Sequence, residues 1–130
     1  MKIICIIFIG LLLNSCRNPN SLEIDEIQIF KVDFEILTFG RINCNDFKSS
    51  FNSEIKKVSL KNYSQIEEFE NILLSLKNDH RNYTPDVRAK ILIYYNNKCD
   101  TICMDEACCV WRGKSLIVTS ELVDFIEKSN

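Results

Sequence analysis

Residues 88–118 read RAKILIYYNNKCDTICMDEACCVWRGKSLIV, and the punctuation of this stretch decides the fold. Short runs of β-branched, aromatic and cysteine side chains are separated by pairs of turn formers, the pattern of an antiparallel meander. The first strand is expected over Arg88 to Tyr95, followed by Asn96-Asn97-Lys98 as a turn. The second runs from Thr101 to Met104, the third from Ala107 to Trp111 and the fourth from Lys114 to Val118. Asp105-Glu106 and Arg112-Gly113 connect them, the glycine adopting positive φ without a steric penalty.

Two-residue loops place Ile102, Cys109 and Leu116 in one row across the sheet, with Ile91, Ile93, Met104 and Trp111 on the same face. Side chains alternate by twos, so Leu92, Tyr94, Thr101, Cys103, Cys108, Val110, Ser115 and Ile117 take the opposite face. The first face is the better core and should receive the helices. The second is moderately apolar, which makes it either a partly covered surface or a contact surface. Tyr94, Val110 and Ile117 are its candidate binding residues, because aromatic and apolar groups anchor protein interfaces.

Outside this stretch the periodicity changes. Ser64 to Lys77 predicts a helix: Ser64 and Glu67 form a capping box, Ile66, Phe69, Ile72, Leu73 and Leu76 line one side, and Asn78 is placed to cap the end in a left-handed conformation. Thr119 or Ser120 starts a last helix with Leu122, Val123, Phe125 and Ile126 inward and Glu121 near the positive end of its dipole. Upstream, Ile27 and Ile29 alternate with polar residues, while Phe30, Val32, Phe34 and Ile36 continue one step out of phase. That slip predicts a strand with a bulge or bend after Ile29. Phe47, Phe51 and Ile55 at spacing four predict a short helix started by Asn45 or Asp46. The expected fold is a single small α+β domain over 22–130, an antiparallel meander sheet of about five strands with two or three helices mainly on one face.

The first fifteen residues are of another kind. One lysine precedes an unbroken apolar run from Ile3 to Leu13. This run is shorter than the roughly 20 residues a spanning helix needs and has the length of a secretory h-region. It ends in Leu13-Asn14-Ser15-Cys16, which resembles the lipobox of bacterial lipoproteins. Leu13 matches the aliphatic residue three before the cleavage point, Ser15 the small residue before it, and Cys16 the cysteine that is lipidated and becomes the new N-terminus. Asn14 departs from the usual small or aliphatic choice. The resemblance implies a signal peptide over 1–15 and a lipid anchor at Cys16. It also implies a short polar linker to residue 21, and a domain held at a membrane of the cell envelope on its periplasmic or outer-surface side. Five or six linker residues reach no more than about 20 Å, so partners are met near the bilayer.

Of seven cysteines, Cys5 falls in the leader and Cys16 at the anchor, leaving Cys44, Cys99, Cys103, Cys108 and Cys109. Export would put these where disulfides persist. The register sets Cys103 opposite Cys108 in a non-hydrogen-bonded pair, where Cα atoms approach to about 4.5 Å, close enough for a bridge. Cys99 is the second candidate partner of Cys103. Two other readings stand beside this one. Cys109 and Cys44 can serve as small buried hydrophobes. Alternatively, Cys99, Cys103, Cys108 and Cys109 form a thiol-redox or soft-metal cluster, although adjacent Cys108 and Cys109 on a strand point to opposite faces. Five is odd, so at least one thiol is expected free or intermolecular.

The full composition narrows the function by exclusion. Among 130 residues, 16 Lys and Arg against 18 Asp and Glu give a net charge of −2, with no basic footprint for nucleic acid. Three glycines cannot supply a phosphate-cradling fingerprint, and one histidine excludes sites that need two. His80 just past a helix, Glu67, Glu68 and Glu70 on a helix flank, and Asp100, Asp105 and Glu106 around the cysteine strand are each better read as solvated or structural groups. The expectation is a non-enzymatic, lipid-anchored envelope domain without cofactor or metal. It would bind another protein in an inhibitor-like, immunity-like or accessory role.

Overall fold

A computed structural model describes residues 22–130; the expected leader over 1–15, the expected lipidation site Cys16 and the expected linker to residue 21 lie outside the described residues. The chain forms an α+β domain around a six-stranded antiparallel sheet. Its strands are β1 (Glu26–Lys31), β2 (Lys56–Leu60), β3 (Ala89–Tyr95), β4 (Lys98–Met104), β5 (Cys108–Trp111) and β6 (Lys114–Ile117), in the order β2-β1-β3-β4-β5-β6. Helices α1 (Phe47–Phe51), α2 (Tyr63–Ser75) and α3 (Ser120–Lys128) complete it, with a single 3-10 turn at Asn52–Glu54. Among the described residues no helix is long and apolar enough to cross a membrane.

The meander forms as its turn residues require. Asn96 and Asn97 take φ of 46° and 59°, and Arg112 and Gly113 take 50° and 72°. Both are two-residue hairpin turns whose twist matches the flanking strands. The β4–β5 connection differs from expectation by two residues. Met104, not Ile102, lies opposite Cys109, and Cys103 faces Val110 rather than Cys108. Asp105 causes the lengthening: its Oδ1 accepts from the backbone N–H of Ala107 and of Cys108, both at 2.8 Å, and this side-chain turn absorbs the extra pair of residues. A shift of two preserves which face each side chain takes.

Three local expectations are corrected. β1 carries no bulge after Ile29: Ile27, Ile29 and Lys31 are buried in strict alternation, and Phe30 and Val32 belong to the other face. The cap of α2 is Asn62, whose Oδ1 accepts from Ser64 N at 2.9 Å, so the helix begins one residue before the expected capping box. It ends at Leu76 in extended backbone, and Asn78 instead bridges to Leu116 beside the edge strand β6. The strand that sequence reading missed is β2. Its Val58 and Leu60 alternate with Lys57 and Ser59, but the run is only five residues and follows directly on the aromatic spacing of α1.

Each sheet face has its own core. Ile27, Ile29, Ile91, Ile93, Ile102, Met104 and Cys109 pack under Phe69, Ile72 and Leu73 of α2 and Leu122 and Ile126 of α3. At about 25 cal/mol per Å² of apolar surface this burial is the main stabilising term. Lys31 closes the rim of that core. Its buried ammonium donates to the carbonyls of Ile126, Glu127 and Ser129 at 2.7, 3.1 and 2.6 Å, satisfying carbonyls that the end of α3 leaves unpaired. On the opposite face Val32, Phe47, Phe51, Val87 and Cys103 form a smaller cluster beneath α1 and the segment 33–46.

Candidate functional site

The segment between β1 and α1 is built from DFEILTFGRINCND, residues 33–46, and has no regular structure beyond turns. Backbone groups in such a stretch must find partners elsewhere, and here three consecutive residues before β3 supply them. Val32 N donates to Arg88 O at 3.0 Å at the start, and at the end Val87 N donates to Ile42 O at 2.9 Å. Ile42 N donates to Asp86 Oδ1 at 2.7 Å. The middle is held by the Arg88 side chain, whose Nε donates to Ile36 O and whose Nη2 donates to Thr38 Oγ1, both at 3.2 Å. Arg88 is 6% exposed. Its charge is met by Asp86 at 2.8 and 2.9 Å, and its guanidinium stacks over the ring of Phe51.

A second node holds Arg88's neighbours. Asp105, also buried, accepts four hydrogen bonds: Tyr83 Oη at 2.9 Å and Asp86 N at 3.0 Å on one oxygen, Ala107 N and Cys108 N on the other. The Tyr83 hydroxyl is pushed up from its ordinary value, first by that hydrogen bond and then by burial. Nearby, Asp79 accepts from Arg81 N at 3.0 Å and from its Nε and Nη2 at 2.8 Å. These bonds hold the Asp79 carboxyl down at about 2.

Below the loop a disulfide joins Cys44 to Cys103, residues 59 apart with Cα atoms 5.7 Å from each other. Cys103 is therefore a disulfide cysteine as expected, but its partner is neither Cys108 nor Cys99. The register shift removes Cys108 from its row, and the compact 33–46 segment brings Cys44 down onto the same face.

The remaining thiols do not converge. Cys99 is exposed on the face that carries Tyr94, Cys108 is buried on the same face beside the Tyr83 carbonyl, and Cys109 is buried on the other. Cys99 and Cys108 lie about six strand residues apart along the sheet, on the order of 20 Å. Among the described residues no three His, Cys, Asp or Glu side chains are placed to hold a metal ion. Burial pushes the Cys108 thiol up to about 11 and the Cys109 thiol to about 12. Thiols so raised are poor nucleophiles at neutral pH.

Tyr94, Val110 and Ile117 do share the second face but not one patch. Tyr94 pairs with Glu26 and Cys99 at one end of the sheet, whereas Ile117 pairs with Cys108 at the other, with β4 and β5 between them. Tyr94 and Val110 are half-buried and only Ile117 is exposed. His80 is exposed on a loop, and Glu67 and Glu68 are exposed on α2.

The outward-facing feature that sequence reading missed is the tip of the 33–46 loop. Leu37 is 94% exposed and Phe39 is fully exposed. The available signal was local: Ile36 and Leu37 are adjacent, which breaks the alternation of Phe34 and Ile36 and leaves Leu37 without an inward position. No protein-family model, curated protein or solved structure matches the chain.

Proposed function

We propose that the chain is a lipid-anchored lipoprotein of the bacterial envelope whose domain acts by binding another protein, in an inhibitor-like, immunity-like or accessory role. The observation that carries the binding half is a contrast within one region. The charged groups around the 33–46 segment are engaged in hydrogen bonds with one another and with the backbone, as Asp105, Arg88 and Asp86 are, while Leu37 and Phe39 are turned outward. Buried polar groups with complete hydrogen bonding rigidify a fold. Exposed large apolar side chains are the groups that anchor partners.

The anchor half is supported by the resemblance of Leu13-Asn14-Ser15-Cys16 to a lipobox. One acyl chain binds a bilayer marginally and two or three bind it durably. Radiolabelled palmitate is expected to enter the wild-type chain and not the Cys16→Ala variant, which should leave the membrane fraction. An unlabelled wild type, or a Cys16→Ala variant still bound to membranes, contradicts this half.

A further inference from the structure

We infer that the Cys44–Cys103 bridge is a reversible redox site, opened in the folded domain by a dithiol reductant that attacks Cys44. Opening it loosens residues 43–46 and leaves the rest of the fold in place. The inference goes beyond the binding reading and does not depend on where the chain is anchored. Three observations carry it. The first is that the two sulfurs are unequally reachable. Cys103 is 3% exposed, whereas Cys44 is half-buried on a loop whose Arg41, Asn43, Asn45 and Asp46 are exposed. An attacking thiolate meets Cys44 and expels Cys103, and which sulfur is attacked follows access.

The second observation is charge. Lys57, Phe30, Lys90 and Cys103 are consecutive partners in one row across the second face. Directly opposed side chains stand about 4.5–5.5 Å apart at Cβ, so Lys90 flanks the bridge, and its Nζ donates to Cys44 O at 3.5 Å. Lys48 and Lys57 hold their ammonium groups 4.4 and 5.5 Å from the centre of the Phe30 ring, on the other side of Lys90. The acids of this region are Asp33, Glu35, Asp46 and Glu54. Asp33 accepts from Glu35 N and Asp46 from Asn43 Nδ2, and among the described residues no carboxylate is ion-paired with Lys48, Lys57 or Lys90. Cations beside a sulfur favour its thiolate, and a thiol that departs as a stabilised thiolate leaves faster.

The third observation is what remains once the bridge is open. Val32 N still donates to Arg88 O, Ile42 still pairs with Val87 and Asp86, and the Arg88 side chain still holds Ile36 and Thr38. The freed Cys103 stays among Val32, Phe47, Phe51 and Val87 as a small apolar side chain. The bonds of Asn43, Asn45 and Asp46 run within their own segment and into α1, so the bridge is the strong tie of residues 43–46 to the sheet. The exchange balances in two steps. One thiol of the reductant gives its proton to water and attacks Cys44 Sγ. A new S–S bond forms there while the Cys44–Cys103 bond breaks, and the electron pair leaves on Cys103, which takes a proton from water. The second thiol then attacks the reductant's own sulfur, Cys44 departs and is protonated in turn, and two electrons have passed from the dithiol to the chain.

The test is reduction of the purified full chain by dithiothreitol at neutral pH without denaturant, with new thiols alkylated and mapped by peptide mass spectrometry. Cys44 and Cys103 are expected to become modified while Cys109, buried beneath α2 and α3, is spared, and oxidised dithiothreitol should close the bridge again. A thioredoxin-type dithiol protein whose second cysteine is replaced by serine should be trapped as a mixed disulfide on Cys44. Lys90→Met should slow opening by about threefold, because the departing thiolate loses its nearest cation, and Lys90→Arg should restore the rate. A bridge that opens only in denaturant, modification of Cys109 together with it, trapping on Cys103 or on neither sulfur, or an unchanged rate in Lys90→Met would each overturn the inference.

Discussion

Beneath α2 and α3, Ile29, Ile91, Ile102 and Phe69 are fully buried with only apolar neighbours needed to hold them. On the opposite face, Phe47, Phe51 and Val87 are covered because a disulfide, an arginine fork and an aspartate draw remote segments over them. The first face is stabilised by non-directional burial, which tolerates changes of similar volume. The second depends on particular atoms, each with several partners, so single substitutions there should act on a whole region. The difference also bears on function. Directional bonds can hold a loop in a shape that leaves apolar side chains in water, and hydrophobic collapse alone cannot.

The strongest way to separate the two faces is to cut the covalent clip. A bridge closing a loop of about 60 residues contributes roughly 4 kcal/mol through the unfolded chain, so Cys44→Ala/Cys103→Ala should lower stability by about that much in denaturant titrations. Hydrogen exchange of the variant should quicken in α1 and residues 33–46 while α2 and α3 stay protected. Equal loss of protection on both faces would show that the clip holds the whole domain and not the second face alone. Asp105→Ala comes next. It leaves the N–H groups of Asp86, Ala107 and Cys108 without their acceptor, and an unpaired buried group costs about 1–3 kcal/mol. A loss near 3 kcal/mol in thermal melts is expected, and Asp105→Asn should recover part of it.

The buried thiols, Cys108 on the second face and Cys109 on the first, make stability depend on pH. Cys108 and Cys109 have folded values of about 11 and 12 against an ordinary 9.0, so the folded state keeps protons that the unfolded chain gives up. Their contribution is fully present below pH 9 and is lost as pH rises toward 11 and beyond. The melting temperature should fall across that window, and Cys109→Ala should flatten the fall. An alkylating reagent at neutral pH should modify Cys99 and spare Cys108 and Cys109 until the protein unfolds. Smaller still are the helix caps on the first face: Asn62→Ala and Thr119→Ala should each lower stability by about 1 kcal/mol.

How much was legible follows the same division. The first face obeys periodicities of two and 3.6, so the α+β class, the sides taken by Ile91, Ile102 and Cys109, and the inward residues of α2 and α3 could be read directly. The second face rests on contacts between residues such as Cys44 and Cys103, or Arg88 and Ile36, that no local pattern encodes. Asp105 illustrates the limit. Its carboxylate lengthens one turn by two residues and so decides which cysteine meets which, yet in sequence it is an ordinary turn aspartate. The exposed tip is hidden in the sequence because apolar residues in a strand-like run are expected to point inward.

Leu37 and Phe39 are held in solvent by the structure beneath them and do not stabilise the fold. Denaturant unfolding of the purified Leu37→Ser/Phe39→Ser domain tests this most directly. A free energy within about 0.5 kcal/mol of wild type is predicted, as for surface substitutions generally. A loss of about 1.5–3 kcal/mol per side chain, the signature of burial, would contradict it.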